Sequence, residues 1–177
     1  MRSSIVLAPA LALVAALAAI TPPAAADLEG DTFTSTTAAV RAEVPRGWRV
    51  SEVSGYPRVL LIMSRSTPPA RMIVTIDPIV PGCRTELDAV FCSPDPGAAV
   101  TRLRERLDGA GFRVTSQTQS RTPELEYEAN RRYVRHALIV IGDQVVSVIL
   151  ATESTAARSS LRRVFDRLTQ SVRPTPP

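Results

Sequence analysis

The chain has no lysine: all 21 of its basic residues are arginine. Histidine and tryptophan occur once each, cysteine twice, and aromatic residues make up only 5% of the 177 positions. Each scarcity excludes something. A lone histidine, His136, and two cysteines, Cys83 and Cys92, fall short of the ligand set of a structural zinc site. The arginines are scattered among 17 acidic residues to a net charge of +4, without the basic stripe and interleaved aromatics of a nucleic-acid surface. No phosphate-cradling glycine loop, dinucleotide fingerprint or Gly-x-Ser-x-Gly elbow is present. The expectation is a protein with no metal, no cofactor, no nucleic-acid partner and no recognisable catalytic signature. The all-arginine set, with its many Ala and Pro companions, reflects a genomic bias towards GC-rich codons rather than a binding property.

Long apolar runs are also absent, except at the very start. Arg2 gives a positive n-region, Ile5 to Ile20 is an apolar run holding one proline, Pro9, and Thr21-Pro22-Pro23 breaks it. Ala24-Ala25-Ala26 then supplies the small residues that a signal peptidase needs. Residues 1–26 therefore read as a signal peptide, with Asp27 as the new N-terminus of a secreted or periplasmic protein. The alternative is an uncleaved anchor. The run is shorter than the ~20 residues that span a bilayer, and a cleavage pattern follows it directly, which favours cleavage. No cysteine lies near the cleavage site, so a lipid-anchored cysteine is excluded. Residues 27–173 fit one domain, expected as a monomer, with 174–177 as a frayed tail.

Cys83 and Cys92 lie in one proline-flanked segment, Pro81-Gly82-Cys83 through Cys92-Ser93-Pro94. In an oxidising compartment the pair reads as a disulfide closing a short loop, worth roughly 2–3 kcal/mol. A redox pair would favour Cys-x-x-Cys spacing and a lowered thiol pKa. The same loop carries Phe91, a candidate for presentation to a partner.

Along the mature chain, Val40, Ala42 and Val44 alternate with Arg41 and Glu43 as in a half-buried strand. Pro45-Arg46-Gly47-Trp48 makes a turn that delivers the tryptophan. Residues 58–65 and 71–78 are β-rich runs separated by Ser66-Thr67-Pro68-Pro69-Ala70, a hairpin with a stiff loop. Asp95 and Pro96 open a helix to Gly109, with Val100, Leu103, Leu107 and Ala110 on its apolar stripe. A strand over 112–119 follows.

Two hairpins come next. A turn at Ala129-Asn130 sets Glu128 against Arg131 and Glu124 against Arg135, leaving Glu126 facing Tyr133 without a charge partner. A turn at Gly142-Asp143 sets Val140 against Val145 and Ile139 against Val146. Both faces of that second hairpin are apolar, so the sheet centre is covered on both sides. A last helix over 155–172, capped by Ser154, buries Leu161, Val164, Phe165, Leu168 and Val172 and turns Arg158, Arg162, Arg163, Asp166 and Arg167 to solvent. The fold class is α+β: an antiparallel sheet covered by helices on both faces, a three-layer α/β/α sandwich.

Several elements carry a resemblance. Val44-Pro45-Arg46-Gly47-Trp48 is similar to the aliphatic-Pro-x-Gly-Trp opening of the PsbP-like superfamily. A hairpin follows, then a helix ending Leu107-x-x-Ala110-Gly111-Phe112, a meander around Tyr133, and a final helix with Leu161 and Phe165. The resemblance spans nearly the whole mature chain. It implies an α/β/α sandwich and binding or accessory work, since that superfamily holds photosystem accessory proteins, a nuclear-transport regulator, envelope lipoproteins and secretion chaperones. This chain departs from it in lacking a lipobox cysteine and in carrying the Cys83–Cys92 loop.

The remaining candidates weigh as follows. His136 sits between Val134 and Leu138 on a core face, where a buried histidine with one hydrogen bond is the simpler reading than a general base. Glu124, Glu126 and Glu128 line one strand face; they suit acid/base work or a hard cation, but also a plain salt-bridged surface. Trp48 reads as a core anchor. Tyr56, ahead of Pro57 in a loop, reads as exposed. Possible binding residues are thus Tyr56, Phe91, Glu126 and Tyr133. The function expected is an exported, non-enzymatic binding or accessory domain whose partner is an unknown protein or envelope component. The alternatives are a chaperone for secretion or assembly, or a hydrolase with an unrecognised site.

Overall fold

The computed structural model describes residues 26–29, 31–51, 53, 56–82 and 91–176. The expected signal peptide, apart from Ala26, and Cys83 both lie outside the described residues. The chain opens with β1 (Ala26–Glu29), β2 (Thr32–Ser35) and β3 (Val40–Glu43). Strands β4 (Arg49–Ser51), β5 (Val59–Ser66) and β6 (Pro69–Pro78) follow, then helix α1 (Pro96–Gly109). Next come β7 (Arg113–Thr118), β8 (Glu124–Ala129), β9 (Arg132–Ile141) and β10 (Gln144–Thr152). Helices α2 (Thr155–Ser160) and α3 (Arg162–Ser171) lead into a last short strand, β11 (Arg173–Pro174). The strands form a seven-stranded antiparallel sheet in the order β4-β5-β6-β10-β9-β8-β7 and a four-stranded one in the order β1-β2-β3-β11.

The centre of the large sheet follows from the β9–β10 hairpin. Gly142, at φ +60°, takes the left-handed turn position that its missing Cβ allows. Val140 then faces Val145 and Ile139 faces Val146, as the turn arithmetic requires. Successive strand residues point to opposite faces, and they enter two different cores. Leu138 and Val145 gather with Phe91 and with Val100, Leu103 and Leu107 of α1. Ala137, Val146, Val148 and Leu150 gather with Leu161, Phe165 and Leu168, and with Phe33, Val40 and Trp48. The turn before Trp48 is closed by a hydrogen bond from its N–H to the Pro45 carbonyl, with Gly47 at φ +79°, and the indole is buried as a core anchor.

Helix α1 begins where the sequence places it. Asp95 accepts from the N–H groups of Gly97 and Ala98, and Pro96 occupies the first turn. Ala110 is exposed rather than on the stripe, and Ala99 is buried in its place.

Four expectations are corrected. The β8–β9 turn is Asn130-Arg131, not Ala129-Asn130, and both turn residues have positive φ, 50° and 62°. A two-residue turn of that kind needs the left-handed region at both central positions, which Asn tolerates and Ala resists. Each pairing therefore moves by two residues: Glu124 faces Ala137, Glu126 faces Arg135 and Glu128 faces Tyr133. A shift of two preserves the face, so the glutamates still share a side with Arg135. The β5–β6 loop shortens to Thr67-Pro68, because Ser66 pairs with Pro69 and Arg65 with Ala70. The last helix is split at Leu161, whose ψ is 0°. There the Ser160 hydroxyl donates to the Ala157 carbonyl, a local bond that competes with the helix ladder. The tail is tied rather than frayed at its start: Pro174 pairs with Val40, and the Thr175 N–H donates to the Ala39 carbonyl.

Candidate functional site

The residues nominated from sequence do not all converge. Tyr56 is 60% exposed beyond the edge of β5. Phe91 is 1% exposed, packed in the α1 core and bridged to Ile79, with its carbonyl accepting from the Val80 N–H. It is corrected from a presented side chain to a core anchor, because an aromatic ring gains more from burial than a loop gains from displaying it. Cys92 follows it, half-buried; the expected pairing with Cys83 falls on a residue outside the described ones.

His136 is 6% exposed. Burial pushes its imidazole down to about 4, so the ring is neutral in the fold. Its Nδ1 lies 3.5 Å from the Tyr127 hydroxyl, whose own pKa burial pushes up to about 12. Nε2 has no hydrogen-bond partner. A base enclosed this way reaches no substrate, which fits the core reading.

The three glutamates each acquire an arginine. Glu128 pairs with Arg113 at 2.6 Å, and Glu124 with Arg135 at 2.7 Å. Glu126, expected to lack a charge partner, meets Arg158 from α2 at 3.1 Å. The Arg158 guanidinium also lies over Tyr133, 5.7 Å from the ring centre. Glu126 and Tyr133 are thus brought together by one arginine, and α2 docks on β8 and β9 through it. Arg158 and Asp166 were expected in solvent; both are half-buried in ion pairs.

The centre that sequence reasoning undervalued is Arg135, 7% exposed. Its Nε and Nη2 lie 2.8 and 2.7 Å from one oxygen of Glu124, Oε2, a charge-assisted contact converging on a single acceptor. Its Nη1 lies 2.9 Å from Asp166 of α3, close enough for charge pairing but off the hydrogen-bond line. The guanidinium also stacks 4.7 Å from the Phe165 ring centre. One buried cation therefore joins β8, β9 and α3. The signal was available: a charged residue inside the apolar run 132–141 has to be paired.

Two open concavities flank the end of α3. One, of about 320 Å³, is bounded by the 120–122 loop, Glu124, Asp166, Thr169 and Gln170. Thr169 is 6% exposed and its hydroxyl has no hydrogen-bond partner. The other, of about 360 Å³, is bounded by Thr32, Arg41, Glu43, Gln170, Ser171 and Arg173. Gln170 is the wall they share. Polar and charged residues line the first, and all but Ala42 of the second; neither holds a histidine or cysteine. Among the described residues no cluster of His, Cys, Asp and Glu is arranged to hold a metal ion, and no helix is long and apolar enough to cross a membrane.

No family profile matches the chain, and no curated protein matches its sequence. Solved structures do match in shape. The chain is similar to the cyanobacterial PsbP protein CyanoP of Synechocystis sp. PCC 6803, at 16% identity and a TM-score of 0.57 over 81% of this chain and 91% of that one. It is also similar to the Ran-binding protein Mog1p of Saccharomyces cerevisiae, at 12% identity and a TM-score of 0.52 over 83% and 96%. The fold is PsbP-like.

Proposed function

We propose that this PsbP-like chain is an exported, non-enzymatic accessory domain that binds a protein or other envelope component through the surface around the end of α3. The observation that carries the reading is the pair of polar concavities sharing Gln170, one of them backed by the unpartnered Thr169 hydroxyl. The fold likeness to a cyanobacterial PsbP protein and to a Ran-binding protein agrees with binding work and carries no residue-level argument. The chaperone alternative calls for an apolar groove. Among the described residues the exposed large hydrophobics are Tyr56 and Val80, neither of which borders the concavities.

The domain is a three-layer α/β/α sandwich, with α1 over the core of Leu138 and Val145 and α2–α3 over the core of Ala137 and Val148. The apolar run before Ala24-Ala25-Ala26 directs export, and cleavage leaves Asp27 as the N-terminus in the periplasm or outside the cell. The oxidising compartment then closes the Cys83–Cys92 disulfide.

Two measurements test this. Co-purification from the envelope fraction, read by mass spectrometry, is expected to return a stoichiometric partner, and N-terminal sequencing of the bound protein is expected to begin at Asp27. A mature protein that keeps Met1 in the membrane fraction would replace export by anchoring. A hydrolytic activity that His136→Leu abolishes at unchanged melting temperature would replace the accessory reading by an enzyme.

A further inference from the structure

We propose that Arg41 and Arg173 form a binding site for a phosphate-type oxyanion in the 360 Å³ concavity, one of the two assigned above to the partner, by an argument that does not require a protein partner. The two residues are direct cross-strand partners in the antiparallel pairing of β11 with β3. Both are exposed, and direct opposition puts their side chains on one face, with Cα atoms about 5 Å apart. Like charges placed this way repel. The chain nevertheless attaches its last strand at this pair.

Neither guanidinium is neutralised. Among the described residues no carboxylate lies within 4.0 Å of either one. Among the described residues Arg173 Nη1 donates only to the Val172 carbonyl, at 2.9 Å, and the Arg41 side chain has no hydrogen-bond partner. Arg135 and Arg158, on the neighbouring elements, are both held by carboxylates. Arg41 and Arg173 both line the 360 Å³ concavity, and so does Gln170, whose side-chain amide is a further donor type. The Ser171 hydroxyl is already committed, accepting from the Glu43 N–H at 2.9 Å and donating to the Leu168 carbonyl at 2.7 Å.

Two planar forks on paired strands beside one concavity suit a tetrahedral oxyanion, which offers separate oxygen pairs to each. Glu43, in the same wall, lowers the local positive charge, which favours a small anion over a polyanion. An anion held there cancels the Arg41–Arg173 repulsion and fastens β11 to β3. Binding is therefore read as stabilisation of the fold. The phosphate group is either free or part of an anionic lipid headgroup.

The test compares thermal melting of the purified protein in sodium phosphate and in sodium chloride at equal ionic strength. Phosphate is expected to raise the melting temperature of the natural chain and to leave Arg41→Gln/Arg173→Gln unmoved. Arg162→Gln/Arg163→Gln, which changes charge equally on α3 outside the concavity, is expected to keep the shift. An equal shift in both double variants, or none in the natural chain, would overturn the site. Equilibrium dialysis of labelled phosphate against folded Arg41→Gln gives a second reading: about tenfold weaker binding is expected, and unchanged binding would overturn the site. Flotation with phosphatidylglycerol vesicles, against phosphatidylcholine vesicles, separates the sources. Capture competed by free phosphate assigns the headgroup, and no capture with the melting shift intact assigns a free anion.

Discussion

The two cores of this protein bury polarity in opposite ways. Against α2 and α3 the sheet presents a full charge, Arg135, and surrounds it with Glu124, Asp166 and the face of Phe165. Against α1 it presents groups held neutral: His136 and Tyr127, each shifted by burial away from its charged form. Consecutive residues of one strand, Arg135 and His136, thus solve the same problem by pairing and by discharge. The first solution ties three elements together and is costly to break. The second makes no strong bond, since the Tyr127–His136 contact is 3.5 Å, and it leaves Nε2 unpaired. Structure is concentrated on the α3 side, and pH sensitivity on the α1 side.

The largest effect is expected from Arg135→Met. It leaves Glu124 and Asp166 without their shared cation and should cost about 3–5 kcal/mol, read by urea unfolding. A loss below about 1 kcal/mol would reduce the network to ordinary surface pairing.

His136 yields the next effect, and only on acidification. Its pKa is about 4 in the fold against 6.5 for the free side chain. Between those values the unfolded chain takes up a proton that the folded chain refuses. Stability is therefore complete above about pH 6.5 and falls by about 1.4 kcal/mol per pH unit towards pH 4, below which this contribution levels off. His136→Leu should remove that slope while changing stability little at neutral pH. A slope that persists unchanged in the variant would mean that the imidazole is not the group that titrates.

Replacing Cys83 and Cys92 by serine should cost about 2–3 kcal/mol under non-reducing conditions, and leave the far-UV dichroism of the sheet in place. Two titratable thiols in freshly exported protein would remove the disulfide from the account. The smallest effect belongs to the start of α1. Asp95→Ala deprives the Gly97 and Ala98 amides of their acceptor and should cost about 1 kcal/mol.

Much of this was legible in sequence where one local rule acted alone. Asp95-Pro96 set the start of α1, and Gly142-Asp143 set both the register and the faces of β9 and β10. Where two rules competed, the reading slipped. Opposite charges at Glu124 and Arg135 suggested direct opposition, but the backbone demands of the turn placed Asn130 first. The ion pair survived as a diagonal contact, so the right partners were found through the wrong register. Phe91 was misjudged because its loop was read without the sheet end at Ile79 that it covers. The concavities were not legible at all. The first joins α3 to the 120–122 loop, up to 50 positions away, and the second joins the end of α3 and β11 to β2 and β3, more than a hundred positions away. No periodicity or motif in any one of those segments announces the others.

The same comparison between the two sides tests the central claim, that the surface around the end of α3 is the binding surface. Gln170→Trp fills the wall shared by both concavities, whereas Arg106→Trp adds the same bulk to an exposed position of α1. Affinity capture from the envelope fraction with the natural chain and both variants, each confirmed folded by melting, compares the sides directly. The account expects the co-purified partner to be kept by Arg106→Trp and lost from Gln170→Trp. A partner kept by Gln170→Trp and lost from Arg106→Trp would contradict it and move the binding surface to α1.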